Sequence, residues 1–554
     1  MDLSRLEGNH LRGEILTATV SGVASTKKEL VELFDRSVPS VDIITTKSFQ
    51  VRPNPGNREP IVCSPSPGDF GNSVGLRNPG MDVIIPELRE IREKGMRALL
   101  CVSVSANSAE DFITLIKASD PVADLIELNF SCPHAAAGFG AAIGSDINIA
   151  REYVHRIQEA YPERKAKLII KLTPNVDNIG KIAKAVIDEG ADGISAINTV
   201  GPKLYTEPRT GSVILNNKVG GKGGASGEWV KEEALRCIRE IREAIGDGPL
   251  ILGMGGVSTP EDARRMIAAG ADSVGIGSAL SRVHPQDWEK YFHAIKTGSP
   301  VDGYLSNENA LVYTPHTILK REEFPGDVIL LTVDGELECA PGEFVFLWVP
   351  GKGEKPFSVA YNKPLKFLIK KRGEFTKSLF SLVPGDTVYT RGLYGSPMKH
   401  QRSSKAILVA GGTGAAVLPL IAEELEREGT EMDIRVGVSV KDGKDPLEEE
   451  LSAYGKYTSV PDDGKPGRVL DTLGEEDFSG DTAFYIVGPS ALMMKAAEKA
   501  EALGQDPGRI YLSMEKNTMC GIGMCGECVC GGHLPCKEGT FFTWETLKEQ
   551  RVSL

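Results

Sequence analysis

The densest group of residues of a type that can bind metal in this 554-residue chain is a set of cysteines near the C-terminus. Five of the ten cysteines lie between residues 520 and 536. The spacing C-x4-C-x2-C-x7-C is formed by Cys520, Cys525, Cys528 and Cys536. Thiolates at C-x4-C-x2-C spacing are typical of a 2Fe–2S cluster, and the intervening glycines allow the backbone to wrap closely around inorganic sulfur. The pattern predicts a protein that transfers electrons.

Other uses of these cysteines are possible but fit the spacing less well. A structural zinc site usually pairs two short C-x2-4-C knuckles, and a disulfide framework requires an oxidising compartment. Cys530 is the fifth thiol and could replace Cys536 as the fourth ligand. Cys536 is the preferred choice because its separation from Cys528 suits a ligand that returns from a hairpin.

Composition limits the partners and the compartment. The net charge of −13 argues against nucleic acid or an anionic membrane as the main partner. Neither the N-terminal residues nor any later run approaches the ~18 consecutive apolar residues that a membrane span requires. The dispersed cysteines indicate a reducing environment. We therefore expect a cytoplasmic protein of two to four domains.

Short apolar runs alternate with helical patterns through the first half of the chain. The runs are Ile15–Val20, Val41–Thr46, Ala98–Val104, Leu125–Phe130, Leu168–Leu172, Gly193–Asn198, Leu250–Gly253 and Ser273–Ile276. Eight such units predict an α/β fold, a (β/α)8 TIM barrel spanning residues 1–307. A doubly wound open sheet is the alternative, but it needs no eighth unit. A long insertion, Phe49–Gly80, follows the second strand.

Polar side chains cluster where the predicted barrel strands end. Barrel enzymes build their active sites at this C-terminal face. Amide and hydroxyl groups there can donate and accept hydrogen bonds with a polar substrate. The candidate residues for substrate and catalysis are Lys47, Asn72, Asn129, Cys132, His134, Lys171, Asn198 and Thr199.

Glycines follow the last two predicted strands and precede the sixth helix. Backbone N–H groups in such loops form the usual phosphate site of a barrel. Together they predict a cofactor that carries phosphate. The candidate residues are Gly224, Ser226, Gly227, Gly255, Gly256, Gly277 and Ser278.

The ordered motifs TK-S, NS-x-GL, N-x-SCP, KLTPN, NT, GG-x-SG, GGV and G-x-GSA resemble the cytosolic dihydroorotate and dihydropyrimidine dehydrogenases. This resemblance implies FMN at the barrel mouth with a dihydropyrimidine against it. It implies that Cys132 is the general acid/base, that Lys171 stabilises the charge of the reduced flavin, and that Lys47 bridges flavin and substrate. Further contacts implied by the resemblance are Ser21 and Gly22 for the cofactor and Gly75 and Leu76 for the substrate.

The role of Cys132 also has a chemical reason. Oxidation of a saturated C5–C6 bond requires a base that removes the C5 proton while a hydride leaves C6 for the flavin. A thiol tuned toward neutral pKa can serve as that base.

His134 is the one departure from the dihydroorotate dehydrogenase pattern, which carries asparagine at this position. Histidine there is similar to the dihydropyrimidine dehydrogenases, which act on uracil and thymine. His134 could also donate to the carboxylate of orotate. Dihydroorotate is the substrate that we favour. Three alternatives stay open: dihydrouracil or dihydrothymine as the substrate, another cyclic substrate, or a non-enzymatic electron carrier.

The pattern changes near residue 308. Alternating strands with turn residues predict a small antiparallel β-barrel over residues 308–400. A buried strand, Ala406–Ala410, a glycine loop and a helix, Ala415–Glu428, predict an α/β nucleotide-binding domain over residues 401–510. The cysteine group then falls in a C-terminal segment, residues 511–554.

This half resembles the ferredoxin-reductase superfamily, most closely the electron-transfer subunit of NAD-dependent (class 1B) dihydroorotate dehydrogenases. The resemblance implies FAD in the β-barrel, NAD in the α/β domain, and transfer from the dihydropyrimidine through FMN, 2Fe–2S and FAD to NAD. It also implies a homodimer formed through the barrels. At the family's R-P-x-S motif the implied cofactor residues are Lys355, Pro356, Phe357 and Ser358, with lysine in place of arginine. The other implied cofactor residues are Gly373, Thr376, Gly411, Gly412 and Gly414.

Overall fold

The structure is a computed structural model that describes residues 2–130, 141–438, 445–462, 467–478, 480–514 and 516–550. The chain forms two compact units. The first, here called the barrel unit, comprises Met1–Leu311 and Ile522–Glu527. The second, the sheet unit, comprises Val312–Gly521 and Cys528–Leu554.

The barrel unit contains a closed barrel of eight parallel strands, in the order β1-β12-β11-β8-β7-β6-β5-β2. Each barrel strand falls on a predicted apolar run, so the predicted TIM barrel is confirmed. The strands are β1 (Thr17–Thr19), β2 (Ile43–Thr45), β3 (Val62–Ser66), β4 (Asp69–Asn72), β5 (Leu99–Val104), β6 (Leu125–Asn129), β7 (Lys167–Lys171), β8 (Gly193–Ala196), β9 (Val200–Leu204), β10 (Lys222–Gly227), β11 (Leu250–Met254) and β12 (Ser273–Ile276).

The helices of this unit begin at recognisable caps. Asn178 accepts a hydrogen bond from the Lys181 N–H at the start of one helix, and Thr259 and Asp262 form a capping box at the start of another. The helices are α1 (Asn9–Arg12), α2 (Lys28–Ser37), α3 (Met81–Glu93), α4 (Ala109–Ser119), α5 (Ala141–Ser145), α6 (Ile147–Ala160), α7 (Ile179–Asp188), α8 (Lys231–Ile245), α9 (Pro260–Ala268) and α10 (Trp288–Thr297).

A second, antiparallel sheet of the barrel unit is built from the loops, in the order β3-β4-β10-β9. It joins the long insertion after β2 to residues that follow β8. The glycine-rich stretch that ends at Gly227 is strand β10, and its residues pair with β4, for example Gly224 with Asn72. Gly227 has φ +109°, and a Cβ there would lie 2.1 Å from the Gly68 carbonyl oxygen, so close approach of the backbone requires glycine.

An aspartate stands directly before every second barrel strand, at the end of the barrel opposite the predicted site. Its carboxylate accepts a hydrogen bond of 2.8 or 2.9 Å from a backbone N–H in the preceding strand, and a lysine or arginine pairs with it at 2.7 to 2.9 Å. Each aspartate therefore links two neighbouring strands and stabilises the closed sheet. The four sets are Asp42 with Thr17 and Lys296, Asp124 with Leu100 and Arg92, Asp192 with Leu168 and Arg164, and Asp272 with Ile251 and Arg242.

Replacing Asp272 by asparagine is expected to destabilise the barrel unit by about 3–5 kcal/mol, because the change removes one partner of a buried ion pair. The Asp272 side chain is 1% exposed and Arg242 is 10% exposed. Urea-dependent hydrogen exchange of barrel peptides in the full chain measures this loss. Glu261→Gln, in an exposed pair with Arg264, is the control and should change stability by less than ~0.5 kcal/mol. Equal effects of the two substitutions would contradict the role of Asp272.

The sheet unit contains two sheets. A seven-stranded antiparallel sheet has the order β16-β15-β19-β13-β14-β18-β17, and a six-stranded sheet, parallel except at β25, has the order β22-β21-β20-β23-β24-β25. Its strands are β13 (Thr314–Phe324), β14 (Val328–Val333), β15 (Phe344–Val349), β16 (Gly353–Phe357), β17 (Tyr361–Asn362), β18 (Leu365–Lys370), β19 (Thr387–Tyr394), β20 (Lys405–Gly411), β21 (Glu431–Val438), β22 (Lys456–Pro461), β23 (Ala483–Val487), β24 (Ile510–Ser513) and β25 (Phe541–Thr543).

This order of an antiparallel sheet followed by an α/β sheet confirms the predicted architecture of the second half. The helix after β20 begins at Leu418, later than predicted, because Gly412–Val417 forms a 3-10 turn first. The helices are α11 (Glu374–Phe380), α12 (Leu418–Glu428), α13 (Glu448–Leu451), α14 (Ser490–Ala502), α15 (Pro535–Glu538) and α16 (Trp544–Glu549). Within the described ranges, no helix has both the length and the apolar character needed to cross a bilayer.

Candidate functional site

The interior of the barrel changes from apolar to polar along the strands. Side chains at every second position of a strand face the same side. On β6, Leu125 belongs to an apolar cluster with Leu99, Ile169 and Leu250, whereas Glu127, two residues later, lies among hydroxyl groups. The polar layer therefore lies toward the C-terminal ends of the strands.

Glu127 is the centre of this polar layer. Its Oε1 accepts a hydrogen bond from Ser103 Oγ on β5 and its Oε2 accepts one from Ser195 Oγ on β8, both at 2.7 Å. Lys171 Nζ on β7 lies 3.5 Å from Glu127 Oε1, and the two side chains are 5% and 1% exposed. A buried charge is tolerated when it is paired and hydrogen-bonded, so Glu127 fixes the ammonium group of Lys171 in the barrel interior.

A chain of hydroxyl groups extends from Glu127 toward β1. Ser103 Oγ lies 2.8 Å from Ser48 Oγ, which lies 2.9 Å from Ser21 Oγ. Asn129 Nδ2 donates to the same Ser48 Oγ at 3.2 Å. The structure thus joins three residues of the predicted site, Ser21, Asn129 and Lys171, through groups that were not predicted.

Sequence reasoning missed Glu127, Ser103 and Ser195, and it named Ser48 only as part of the TK-S motif. A signal was available for one of them, because a carboxylate inside an apolar strand is rarely buried without a partner. Glu127 interrupts the apolar run Leu125–Phe130 in this way. The serines carry no such signal, since serine is common at turns and strand ends.

The loops after β1 and β2 bring Gly22 and Lys47 together. Gly22 has φ +86°, and a Cβ at that position would lie 2.9 Å from Lys47 Nζ. Glycine at position 22 therefore leaves room for the lysine side chain. These are two of the residues predicted to contact the cofactor.

The predicted substrate loop after β4 is held by amide side chains. Asn72 Nδ2 donates to the Gly224 carbonyl at 3.2 Å, which places two predicted residues together. Leu76 is buried with φ +55°, and a Cβ at Gly75 would lie 2.9 Å from the Asn57 side chain. The backbone of this loop is therefore closely constrained.

At the end of β8, the predicted residues Asn198 and Thr199 contact each other. The Thr199 N–H donates to Asn198 Oδ1 at 2.8 Å. Asn175 holds the same turn, because its Nδ2 donates to the Thr199 carbonyl at 3.1 Å and its Oδ1 accepts from the Gly201 N–H at 2.8 Å. Asn175 therefore stabilises the conformation of this loop.

The glycines of the predicted phosphate site approach other backbone segments. A Cβ at Gly256 would lie 2.8 Å from the Gly227 carbonyl oxygen, and one at Gly255 would lie 2.7 Å from Ala234 Cβ. Gly277 packs against Val20, and Ser278 begins a 3-10 turn. Gly227 and Gly256 are therefore neighbours, while Ser226 accepts from the Trp229 indole through its carbonyl at 3.1 Å.

Cys132 and His134 lie outside the described residues. The other three cysteines of the first 311 residues, Cys63, Cys101 and Cys237, are buried. Burial first, and then the Glu127 carboxylate, raises the pKa of Cys101 well above its ordinary value. Burial likewise raises the pKa of Cys237 to about 12. Cys101 and Cys237 are thus neutral thiols at pH 7.

The predicted flavin and nucleotide residues of the sheet unit fall at strand and helix ends. Lys355, Pro356 and Phe357 end β16, followed by Ser358. At the start of α11 the Gly373 N–H donates to Thr376 Oγ1 at 3.0 Å. Gly411 ends β20, and Gly412 and Gly414 lie in the 3-10 turn before α12.

Three of the four predicted cluster ligands lie together in the sheet unit. Cys520, Cys528 and Cys536 are each 1% exposed. Cys528 Sγ lies 3.3 Å from Cys536 Sγ, and hydrogen bonding with the Cys520 and Cys528 thiols raises the pKa of Cys536 well above its ordinary value. Thiols packed in this way fit the donor set of an iron–sulfur cluster.

Cys530 has different surroundings from these three cysteines. It belongs to an apolar cluster with Ile486, Leu512 and Trp544. In the part of the chain that the structure describes, no group of three or more His, Cys, Asp or Glu side chains is arranged to hold a metal ion.

Cys525 belongs to the short segment Ile522–Glu527, which is part of the barrel unit. The Met524 carbonyl accepts from the Ala24 N–H at 2.8 Å, and the Cys525 carbonyl accepts from Thr26 Oγ1 at 2.8 Å. These bonds hold the segment against the loop that follows β1.

Comparisons with known proteins find relatives of about half of the chain. A family model described as "Dihydroorotate dehydrogenase" matches residues 4–297. The catalytic subunit of dihydroorotate dehydrogenase B (NAD(+)) from Methanothermobacter thermautotrophicus is 35% identical over 263 residues, which cover 48% of this chain and 83% of that protein. The corresponding subunit from Alkaliphilus metalliredigens is 37% identical over 280 residues, which cover 50% of this chain and 86% of that protein.

Among solved structures, a chain of an NADH-dependent reduced ferredoxin-NADP oxidoreductase is 26% identical and has a TM-score of 0.38, covering 42% of this chain and 92% of that chain. That score is too low to establish a shared fold. The family model, in contrast, matches more than half of the 554 residues, over the barrel strands and the polar layer that lies inside them. The chain therefore belongs to the dihydroorotate dehydrogenase family.

Proposed function

We propose that this chain oxidises dihydroorotate to orotate at FMN in the barrel and passes the electrons through a 2Fe–2S cluster and FAD to NAD. The observation that carries the proposal is the buried Glu127–Lys171 pair, which holds a cation among amide and hydroxyl groups at the C-terminal ends of the barrel strands. Family membership and the packed thiols of the sheet unit support it.

In this proposal the barrel residues bind and orient the dihydropyrimidine. Asn72, Asn129, Asn198 and Thr199 pair with the N–H and C=O edge of the ring. Cys132 removes the C5 proton as general base. Bound FMN supplies the acceptor for the hydride from C6.

Lys171 and Lys47 supply positive charge to the same site. Lys171 faces developing negative charge from a position held by Glu127, and a preorganised cation of this kind stabilises charge without reorganising. Lys47, beside Gly22, would bridge flavin and substrate. Gly255, Gly256, Gly277 and Ser278 would hold the FMN phosphate through backbone N–H groups.

The sheet unit completes the proposed electron path. Residues 308–400, with Lys355–Ser358, Gly373 and Thr376, would hold FAD. Residues 401–510, with Gly411, Gly412 and Gly414, would hold NAD, and residues 511–554 carry the cluster ligands Cys520, Cys525, Cys528 and Cys536. A cluster passes single electrons between two-electron flavins. Two chains would associate through their barrels.

A second candidate substrate is dihydrouracil or dihydrothymine. His134 favours it, because histidine at that position is similar to the dihydropyrimidine dehydrogenases, whose substrates lack the 6-carboxylate. A barrel that binds these substrates needs no donor for a carboxylate.

Anaerobic mixing of the oxidised protein with each substrate tests the proposal. Dihydroorotate should bleach the visible flavin band, whereas dihydrouracil and dihydrothymine should leave it unchanged, because the carboxylate contributes charge-assisted hydrogen bonds of about 1.5–3 kcal/mol each. Released flavin and iron, counted against protein, should give one FMN, one FAD and two irons per chain.

Bleaching by dihydrouracil with no response to millimolar orotate would favour the second candidate. A single flavin type, or four irons per chain, would contradict the proposed electron path.

A further inference from the structure

The most deeply buried ion pair of the sheet unit lies beside a cysteine of the predicted cluster. Arg391 on β19 and Glu354 on β16 have fully buried side chains. The guanidinium binds the carboxylate through two bonds, Nε to Oε2 at 2.8 Å and Nη2 to Oε1 at 2.6 Å. Tyr313 Oη also donates to Glu354 Oε2 at 2.7 Å. Every carboxylate oxygen therefore has a partner.

The other donors of Arg391 contact the cysteine segment and the Tyr394 hydroxyl, to which Nη1 donates. Arg391 Nη1 donates to the Cys520 carbonyl at 3.0 Å, and Nη2 donates to the Met519 carbonyl at 3.4 Å. The guanidinium also lies over the Phe346 ring, with its carbon 3.9 Å from the ring centroid. These contacts fix the plane of the guanidinium, so its direction toward Cys520 is not adjustable.

Neighbouring residues hold the same backbone. A Cβ at Gly521, where φ is +82°, would lie 2.7 Å from the Tyr394 ring, so the chain after Cys520 rests against that ring. Farther along, the Gly395 N–H donates to the Cys536 carbonyl at 3.0 Å, and Ser396 Oγ donates to the Lys537 carbonyl at 2.7 Å. The end of β19 thus binds two of the cysteine positions.

The charges of the pair are ordered in space. The positive group is the one that contacts the Cys520 backbone, while the negative group accepts a hydrogen bond from Tyr313. Adding an electron to a cluster makes it more negative. A fixed positive group nearby stabilises the reduced form more than the oxidised form, and charge and hydrogen bonding around a cluster are known to set its potential.

We infer that Arg391, held by Glu354, is a positioning residue that fixes the Cys520 backbone and raises the reduction potential of the iron–sulfur cluster. The inference rests on the proposed function, because it assumes that Cys520 is one of the four cysteines that hold a 2Fe–2S cluster. It adds to that function the residue pair that makes the cluster a better electron acceptor.

The double variant Glu354→Gln/Arg391→Gln removes both charges and keeps polar groups at both positions. In the full-length protein, EPR-monitored redox titration should show that the equilibrium constant for cluster reduction falls at least tenfold, which corresponds to ~59 mV for a one-electron couple. Arg391→Lys keeps the charge but loses the planar fork and should give a smaller fall, about two- to tenfold.

The matched control is Arg435→Lys. Arg435 is another buried arginine of the sheet unit, paired with Asp433 and Asp477, and none of its hydrogen bonds described in the structure involves the cysteine segment. It should leave the potential unchanged. Iron per chain is measured in every variant, so that loss of the cluster is distinguished from a change in its potential.

An unchanged potential in the double variant, with two irons retained, would overturn the inference while leaving the cluster in place. If the double variant loses iron, the cluster potential of Arg391→Lys becomes the test. An unchanged potential in that variant would also overturn the inference. Failure of the proposed function gives a different result, because the wild-type protein would then not contain two irons per chain.

Discussion

Replacing Cys132 by serine is expected to slow dihydroorotate oxidation at pH 7 by ~10²–10⁴-fold, the usual cost of losing a general base. A serine hydroxyl is a far weaker base than a tuned thiol at this pH. Burial raises the pKa of two other thiols in this part of the chain, Cys101 and Cys237, so both stay neutral at this pH. They cannot take over the role.

The measurement is anaerobic stopped-flow reduction of flavin by dihydroorotate. The variant should keep its bound FMN and its NADH-driven reduction of artificial acceptors, which depends on the sheet unit. Cys237→Ala is the control and should react within twofold of the wild type, since that thiol lies buried on α8. A Cys132→Ser protein that is reduced at a near wild-type rate would show that the base is another group.

Replacing Glu127 by glutamine is expected to destabilise the barrel unit by about 3–5 kcal/mol, because Lys171 is left as a buried charge without a partner. The hydrogen bonds from Ser103 and Ser195 can largely persist, since an amide oxygen still accepts and hydroxyl groups can rotate. The loss should therefore come from the missing charge. Urea-dependent hydrogen exchange of barrel peptides gives the stability, and bound FMN is measured in parallel.

The double variant Glu127→Gln/Lys171→Met separates packing from chemistry. It removes both charges, so most of the lost stability should return, as replacing both members of a buried pair often does. Flavin reduction by dihydroorotate should remain at least ~10-fold slow, because the cation of Lys171 is absent from the site. Recovery of the reaction together with stability would show that the pair is structural only.

The positions of the barrel strands could be predicted from the order of residues alone. Each of the eight apolar runs coincides with an observed strand because a fully buried parallel strand requires a continuous apolar segment. The polar residues at the ends of these strands, such as Lys171 and Asn129, could be placed at one site directly, since parallel strands end at the same face. In the second half, the alternating pattern predicted the antiparallel strands, and the glycine turn near Gly411 predicted the α/β sheet.

Contacts between strands distant in sequence could not be predicted in this way. Glu127 binds Ser103, Lys171 and Ser195, which come from three other strands, and only closure of the barrel brings them together. The aspartates before alternate strands show the same limit, because an isolated aspartate is also a common turn residue.

In the cysteine group, the spacing by itself predicted the kind of chemistry, since four thiols at those intervals suit iron and sulfur. It favoured Cys536 over Cys530 as the fourth ligand only through the separation of Cys536 from Cys528. Only the tertiary structure places Cys536 against Cys528 and puts Cys530 among apolar side chains, and only it turns Arg391 toward Cys520. Local sequence encodes residue chemistry and strand periodicity, whereas the partner of a buried polar group depends on which distant segments pack together.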